Sequence, residues 1–174
     1  MADEISGEVL WFRPDPRAII PLDGFHVSRS LERRLRRGGF EIRVDTDFEG
    51  VMRACGDRPE GTWISEDFIE VYGALHRAGK AHSVEAWRDG RLVGGCYGVA
   101  LGAAFMAESM FHRETDASKV ALAALVSRLR ERDFVLLDVQ YVTPHLKRLG
   151  AVEITRQEYE RRLEAALRLN RRFA

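Results

Sequence analysis

The sequence has few cysteines and no cluster of metal-ligating residues. Its only cysteines are Cys55 and Cys96, which are too few for a disulfide framework and lack the spacing of a zinc site. The five histidines are scattered, and none belongs to an HExxH pattern. The residue pattern therefore predicts neither a structural nor a catalytic metal.

Long apolar runs and an excess of one charge are also lacking. The longest apolar stretch, Val99–Ala107, is far too short to span a membrane, and Met1–Gly7 is too polar and acidic for a signal peptide. Lys+Arg and Asp+Glu balance at 27 each, so net charge gives no argument for nucleic acid. Arginines are nevertheless concentrated in Arg29–Arg37 and Arg156–Arg172, and a neutral protein can carry a basic face. We expect a cytoplasmic protein without a membrane partner.

Periodicity and turn signals predict an α+β domain with a mixed sheet. Asp89–Gly90 predicts a hairpin within a three-stranded meander, and the continuous apolar run Val135–Val139 predicts a strand buried on both faces. Helices are predicted after five N-cap residues, namely Ser28, Asp47, Ser65, Ser118 and Thr155. The length of 174 residues fits one domain, which we place at residues 10–174 after a short tail at 1–9.

Three polar residues at strand ends are candidates for chemistry. Strand alternation predicts that Asp138 and Gln140 share a face at the carboxyl end of the buried strand, where α/β-type sheets place ligands. Glu108 ends another apolar strand. The residues alone leave alternatives open, since Asp138 could tie down the next loop and Glu108 could be a surface carboxylate.

Two compositional features are equally ambiguous. Glycines are frequent in the meander, at Gly94, Gly95, Gly98 and Gly102, where either a closely approaching ligand or bulges and hairpin geometry would explain them. The helix predicted between Ser28 and Gly38 carries five arginines against one glutamate. It is either a solvated face or a nucleic-acid contact.

Ordered motifs resemble the leucyl/phenylalanyl-tRNA–protein transferase family over nearly the whole chain, from about residue 10 to about residue 165. The first match, Trp11–Arg17, is similar to the W-[WF]-x-P-D-P-R segment that opens the family's catalytic domain. Further matches, in family order, are 26–30, 60–64, Tyr72 with His76, 81–85, 92–95, 97–99, Gly102, 108–111, 117–119, 137–140 and 149–151.

The resemblance implies a GNAT-type acyltransferase fold, with a mostly antiparallel sheet flanked by helices. It implies an enzyme that moves leucine, phenylalanine or methionine from aminoacyl-tRNA to the N-terminal Arg or Lys of a protein, making a degradation signal. The aminoacyl-tRNA is the donor substrate, so no cofactor is expected. We expect a monomer whose partners are aminoacyl-tRNA and proteins with such N-termini.

The resemblance also implies roles for individual residues. Asp138 and Gln140 match the pair that assists peptide-bond formation, and Glu108 matches the acidic residue near the acceptor's basic side chain. The walls of the pocket for the transferred side chain match Cys96, Phe105, Leu125 and Leu137. The residues that match tRNA or terminal-adenosine contacts are Trp11, Phe12, Arg33, Arg34, Arg36 and Arg37.

Two alternatives remain beside this interpretation. An acyl-CoA-dependent acetyltransferase on the same fold would need a glycine-rich turn to hold pyrophosphate, and Phe111–Lys119 contains no glycine. A protein that binds aminoacyl-tRNA or N-degrons without catalysis is the other, although Glu108, Asp138 and Gln140 are all retained.

Two departures from the family pattern affect substrate choice. The family usually has a small N-terminal domain ahead of the W-[WF]-x-P-D-P-R segment, and few residues precede Trp11 here. Cys96 and Leu125 stand where the family often has Met and Phe. We expect tRNA affinity and donor preference to depend on these differences.

Overall fold

The computed structural model describes residues 13–59 and 61–174. Within these ranges, strands and helices follow one another in the order β1 (Arg17–Ile19), α1 (Arg29–Arg37), β2 (Glu41–Val44), α2 (Phe48–Gly56), α3 (Glu66–Arg77), β3 (Ala81–Arg88), β4 (Arg91–Leu101), β5 (Ala104–His112), α4 (Ala117–Glu131), β6 (Leu136–Gln140), α5 (Pro144–Arg148), β7 (Val152–Ile154) and α6 (Arg156–Leu167). No helix in this part of the chain is both long and apolar enough to cross a membrane.

The strands form one seven-stranded sheet in the order β2-β3-β4-β5-β6-β1-β7. All neighbouring strands are antiparallel except β5 and β6. That parallel pair is linked through α4 and pairs only between Ala104–Met106 and Leu136–Asp138. The predicted α+β class with a mixed, mostly antiparallel sheet is confirmed.

Polar caps start most of the helices where the sequence predicts them. The side chains of Ser28, Asp47, Ser65 and Thr155 each accept a hydrogen bond from a backbone N–H of the first helical turn. The predicted cap at Ser118 is wrong, because α4 begins at Ala117 and its N-cap position is Asp116, two residues earlier. Asp116 has a left-handed conformation, with φ of 69° and no side-chain capping bond.

Two meander glycines are explained by close packing of the protein on itself. A Cβ atom on Gly94 would lie 2.5 Å from the Cβ of Ala117, so Gly94 lets α4 begin directly above β4. A Cβ atom on Gly98 would lie 2.2 Å from the Met106 carbonyl oxygen. At Gly98 the register of β4 and β5 shifts, as Tyr97 pairs with Ser109 and Gly98 with Ala107. These positions therefore serve backbone packing and a bulge.

Helices cover both faces of the sheet. Helix α4 buries Leu122, Leu125 and Leu129 against one face, and α2 and α3 cover the opposite face around Tyr97. Phe173, close to the end of the chain, is 2% exposed and completes the α4-side core.

Candidate active site

A cavity of about 250 Å³ opens where the parallel strands β5 and β6 stop pairing. Ala107–Met110 of β5 line one side, and Val139 and Gln140 of β6 line the other. The remaining walls come from β4, α4, the segment after α2 and the region of α5, through Cys96, Leu122, Arg58, Thr143, His145 and Leu146. The cavity therefore has an apolar lining with several polar groups converging on it, as small-molecule sites generally do.

Asp138 lies beside this cavity at the centre of a buried hydrogen-bond network. Its carboxylate is 0% exposed and accepts from Arg17, with a shortest distance of 2.6 Å from the terminal nitrogen to Oδ2. The Tyr159 hydroxyl donates to Oδ2 at 2.9 Å, and the backbone N–H of Gln140 donates to Oδ1 at 3.0 Å. Burial of the ion pair is tolerated because each carboxylate oxygen is hydrogen-bonded.

This network fixes the chain around Gln140. The expected alternation, with Asp138 and Gln140 on one strand face, does not continue to Gln140, because Gln140 has φ of 59° in the left-handed region. Its backbone N–H points back to Asp138, while Gln140 itself lines the cavity, and Asp138 is not among the lining residues. Asp138 is thus connected to the cavity through the backbone of Gln140. Burial and the Asp138 charge raise the pKa of Tyr159, which keeps its hydroxyl a donor.

Glu108 lines the cavity from the bulge in β5. Its neighbours Ala107 and Ser109 pair with Gly98 and Tyr97, so Glu108 is the extra residue between two cross-strand pairs, and bulges characteristically re-aim side chains. Burial raises the pKa of Glu108, with the nearby Tyr72 hydroxyl acting in the opposite direction and the Asp138 charge adding to the rise. A carboxylate in this environment gains from a cationic partner.

Arg58 closes the cavity near Ser109. Its guanidinium donates to the Ser109 Oγ at 2.8 Å and to the Cys55 carbonyl oxygen at 2.9 Å, which ties the segment after α2 to β5. Sequence reasoning missed Arg58 because it belongs to no recognised motif and its partner is 51 residues away.

Of the four residues predicted to form the pocket for the transferred side chain, one lines the observed cavity. Cys96 lines the cavity, while Phe105, Leu125 and Leu137 lie in the core cluster behind it and are not among the lining residues. The apolar walls come instead from Met110, Leu122, Val139 and Leu146, together with Ala107 and Cys96. Leu122 is one helical turn from Leu125, and helical periodicity alone does not show which of the two lines the cavity.

The arginine helix α1 lies on the surface. Arg33, Arg36 and Arg37 are exposed, and Arg36 pairs with the exposed Glu32 at 3.7 Å. Arg34 instead stacks on Phe40, with its guanidinium carbon 4.3 Å from the ring centroid. The predicted contacts at Trp11 and Phe12 lie outside the described residues.

Within residues 13–59 and 61–174, no group of three or more His, Cys, Asp or Glu side chains is arranged to hold a metal ion.

The fold and the site together define a mixed α/β domain with a cavity where a parallel strand pair, bridged by a helix, separates. The family model described as leucyl/phenylalanyl-tRNA protein transferase matches residues 19–164. Proteins named leucyl/phenylalanyl-tRNA–protein transferase from Rubrobacter xylanophilus and Herpetosiphon aurantiacus are 61% and 58% identical to this chain. Each match covers 97% of this chain and 88% of the relative. The chain belongs to the leucyl/phenylalanyl-tRNA–protein transferase family and is an aminoacyltransferase that carries amino acids from tRNA to protein N-termini.

Solved structures support the fold alone. A conserved protein of unknown function from Staphylococcus epidermidis is similar over 80% of this chain and 57% of its own, at a TM-score of 0.52 and 12% identity.

Proposed function

We propose that this enzyme transfers leucine, phenylalanine or methionine to N-terminal Arg or Lys, using the cavity between β5 and β6 for both reacting groups. The observation that carries the proposal is that a single cavity is lined both by apolar side chains and by the Glu108 carboxylate. The protein acts as a monomer in the cytoplasm, where its donor is found, and needs no cofactor because an aminoacyl ester is already activated.

The donor side chain occupies the apolar walls. Leu122, Met110 and Val139 offer hydrocarbon and thioether surface but no charge. An apolar pocket discriminates between hydrophobic side chains by only about 1–3 kcal/mol per methylene. Acceptance of more than one hydrophobic amino acid follows from this weak discrimination.

The acceptor's basic side chain pairs with Glu108. Its partly desolvated carboxylate recovers free energy when a guanidinium or ammonium group donates to it, by about 1.5–3 kcal/mol for a hydrogen bond to a charged group. A neutral N-terminal side chain leaves that carboxylate unpaired, and so binds less well.

Gln140 holds the acceptor's α-amine, and Asp138 is a positioning residue. The Gln140 side-chain oxygen accepts from the amine, which aligns it with the ester carbonyl, and alignment supplies much of the acceleration for an activated substrate. Asp138 fixes the Gln140 backbone in its left-handed conformation through the 3.0 Å hydrogen bond.

Helix α1 contacts the tRNA. The exposed guanidinium groups of Arg33, Arg36 and Arg37 face solvent on one short helix, where they can neutralise phosphates and release counterions. Arg34 supports this surface through its stacking on Phe40. Trp11 and Phe12 complete the proposed contact by stacking on the terminal adenosine.

The test is transfer of labelled leucine from Leu-tRNA to matched peptides beginning with Arg, Lys or Ala. Wild type should label the Arg and Lys peptides and leave the Ala peptide nearly unlabelled. Glu108→Gln keeps the shape but removes the charge, so kcat/KM for the Arg peptide should fall about 10- to 150-fold, the equivalent of about 1.5–3 kcal/mol.

The matched control is Glu153→Gln on β7, where the glutamate is exposed, and it should retain wild-type selectivity. Equal labelling of all three peptides by wild type would contradict the proposed acceptor choice. Label that stays on tRNA with every peptide would favour a binding protein without catalysis. Transfer from acetyl-CoA would favour the acetyltransferase alternative, although the Asp116 carboxylate at the start of α4 disfavours pyrophosphate there.

A further inference from the structure

His145 lies on a short helix with a side-chain cap at its start. The Thr143 hydroxyl accepts from the Leu146 N–H at 3.2 Å, which starts α5. His145, the second residue of α5, lines the same cavity as Gln140 and Glu108. Its ring therefore belongs to the wall that the reacting groups must occupy.

The ring nitrogen Nε2 of His145 is buried and has no hydrogen-bond partner in the part of the chain that the structure describes. Such an atom costs free energy in the folded protein, and it calls for an explanation because nearly all buried polar groups are paired. Nε2 has almost no accessible surface, so the ring has to turn toward the cavity before a substrate N–H can donate to it.

The surroundings keep this imidazole neutral. Burial lowers the pKa of His145, and the positive charges of Lys119, Arg148 and His112 lower it further. These groups face it from α4, α5 and β5, and Lys119 is partly balanced by Asp116 at 2.7 Å. A neutral imidazole with an available nitrogen is a proton acceptor near neutral pH.

Asp138 is poorly suited to accept that proton. Its two oxygens already accept from Arg17, Tyr159 and the Gln140 N–H, and Asp138 does not line the cavity. The reaction nevertheless has to move a proton, because the attacking nitrogen must lose one hydrogen and the departing oxygen must gain one.

We infer that His145 is the proton-transfer residue of the aminoacyl transfer. The neutral α-amine of the acceptor attacks the ester carbonyl, and Nε2 takes one N–H proton as the C–N bond forms. The C–O bond then breaks, and His145 passes the proton to the departing ribose oxygen. The products are an amide and a ribose hydroxyl, and His145 returns to its neutral form. This inference rests on the transferase activity and not on the proposed choice of acceptor.

The experiment compares His145→Gln with wild type and with His26→Gln, a control whose exposed side chain is outside the cavity lining and is not among the groups that shift the pKa of His145. Single-turnover rates are measured with saturating Leu-tRNA and saturating Arg peptide across the acid side of the pH profile, so that titration of Glu108 affects peptide binding and not the measured rate. Wild type should lose activity with a slope of two, one unit from the acceptor amine and one from His145. His145→Gln should show a slope of one and a rate about 100-fold lower, at the low end for general acid–base catalysis.

Three further readouts separate proton transfer from a structural role. The Kd for Leu-tRNA should be unchanged, the melting temperature should stay close to wild type, and added imidazole should restore part of the rate of His145→Ala. His26→Gln should keep the slope of two. A slope of two in His145→Gln, or a rate within about threefold of wild type, would overturn the inference, and so would a failure of imidazole to accelerate a folded His145→Ala.

Discussion

Replacing Asp138 with asparagine removes one charge from the most buried polar group of the site. The asparagine oxygen can still accept from the Gln140 N–H. Its NH₂ group, however, would then face the donors of Arg17 and Tyr159, which now lie 2.6 Å and 2.9 Å from Oδ2. The substitution therefore places donors against a donor and leaves a largely buried guanidinium unpaired.

The magnitude follows from that loss. Removing one partner of a buried ion pair costs about 3–5 kcal/mol, a large part of the roughly 5–15 kcal/mol that stabilises a typical domain. For a chain of this size each kcal/mol lowers the melting temperature by about 2–4 °C, so we expect Asp138→Asn to melt roughly 6–20 °C below wild type.

Urea unfolding and thermal melting measure the effect, and Arg17→Met identifies its cause. If the unpaired guanidinium dominates, Asp138→Asn combined with Arg17→Met should fall short of the summed single losses by at least about 1 kcal/mol. The control is Asp23→Asn, which changes an exposed aspartate and should leave stability within about 0.5 kcal/mol.

Transfer activity gives the second readout of Asp138→Asn. Below the melting range, the rate should fall because the hydrogen bond that holds the Gln140 N–H weakens when its acceptor loses its charge. A melting temperature within about 2 °C of wild type, or fully additive losses in the double variant, would refute the argument that Asp138 acts through this network.

Three other predictions test the cavity, the tRNA surface and the buried carboxylate. Leu122→Ala should raise the ratio of phenylalanine to leucine transferred, whereas Leu125→Ala should destabilise by a similar 2–5 kcal/mol without changing that ratio; equal ratios would remove Leu122 from the pocket. Neutralising Arg33 and Arg37 together should lower the salt dependence of tRNA binding by about 0.7–0.9 per phosphate contact, and an unchanged slope would exclude α1. Burial raises the pKa of Glu108, so folding favours its protonated form, and the free energy of unfolding decreases as pH rises from the unfolded pKa through the folded one. Glu108→Gln should therefore melt at or above the wild-type temperature at pH 7 and should reduce this pH dependence. A melting temperature below that of wild type would contradict the argument that burial destabilises the charged carboxylate.

Much of the architecture could be predicted because it depends on short-range patterns. Four helices start where a polar side chain accepts a hydrogen bond from the backbone N–H three residues ahead, at Ser28, Asp47, Ser65 and Thr155. This spacing is visible in the sequence. The start of α4 could not be predicted in this way. Ala117 packs directly on Gly94 of β4, and that contact joins residues far apart in the chain.

The site was harder to predict because its residues act through distant partners. Asp138 was identified by position, but its role depends on Arg17, which is 121 residues away. The left-handed conformation of Gln140 contradicts simple strand alternation and has no local signal. His145 carried no signal of its own either, since only the three-dimensional cavity shows its ring nitrogen to be unpartnered.

The short pairing between β5 and β6 has a mechanical consequence. Strands β2 to β5 form one hydrogen-bonded leaf of the sheet, strands β6, β1 and β7 form another, and the two leaves are joined by pairing over three residues. Beyond Met106 and Asp138 the described residues of the two leaves share no strand pairing, and the cavity opens there. Its width is therefore held by the side chains of α4, which pack against both leaves in one core cluster, and not by hydrogen bonds of the sheet.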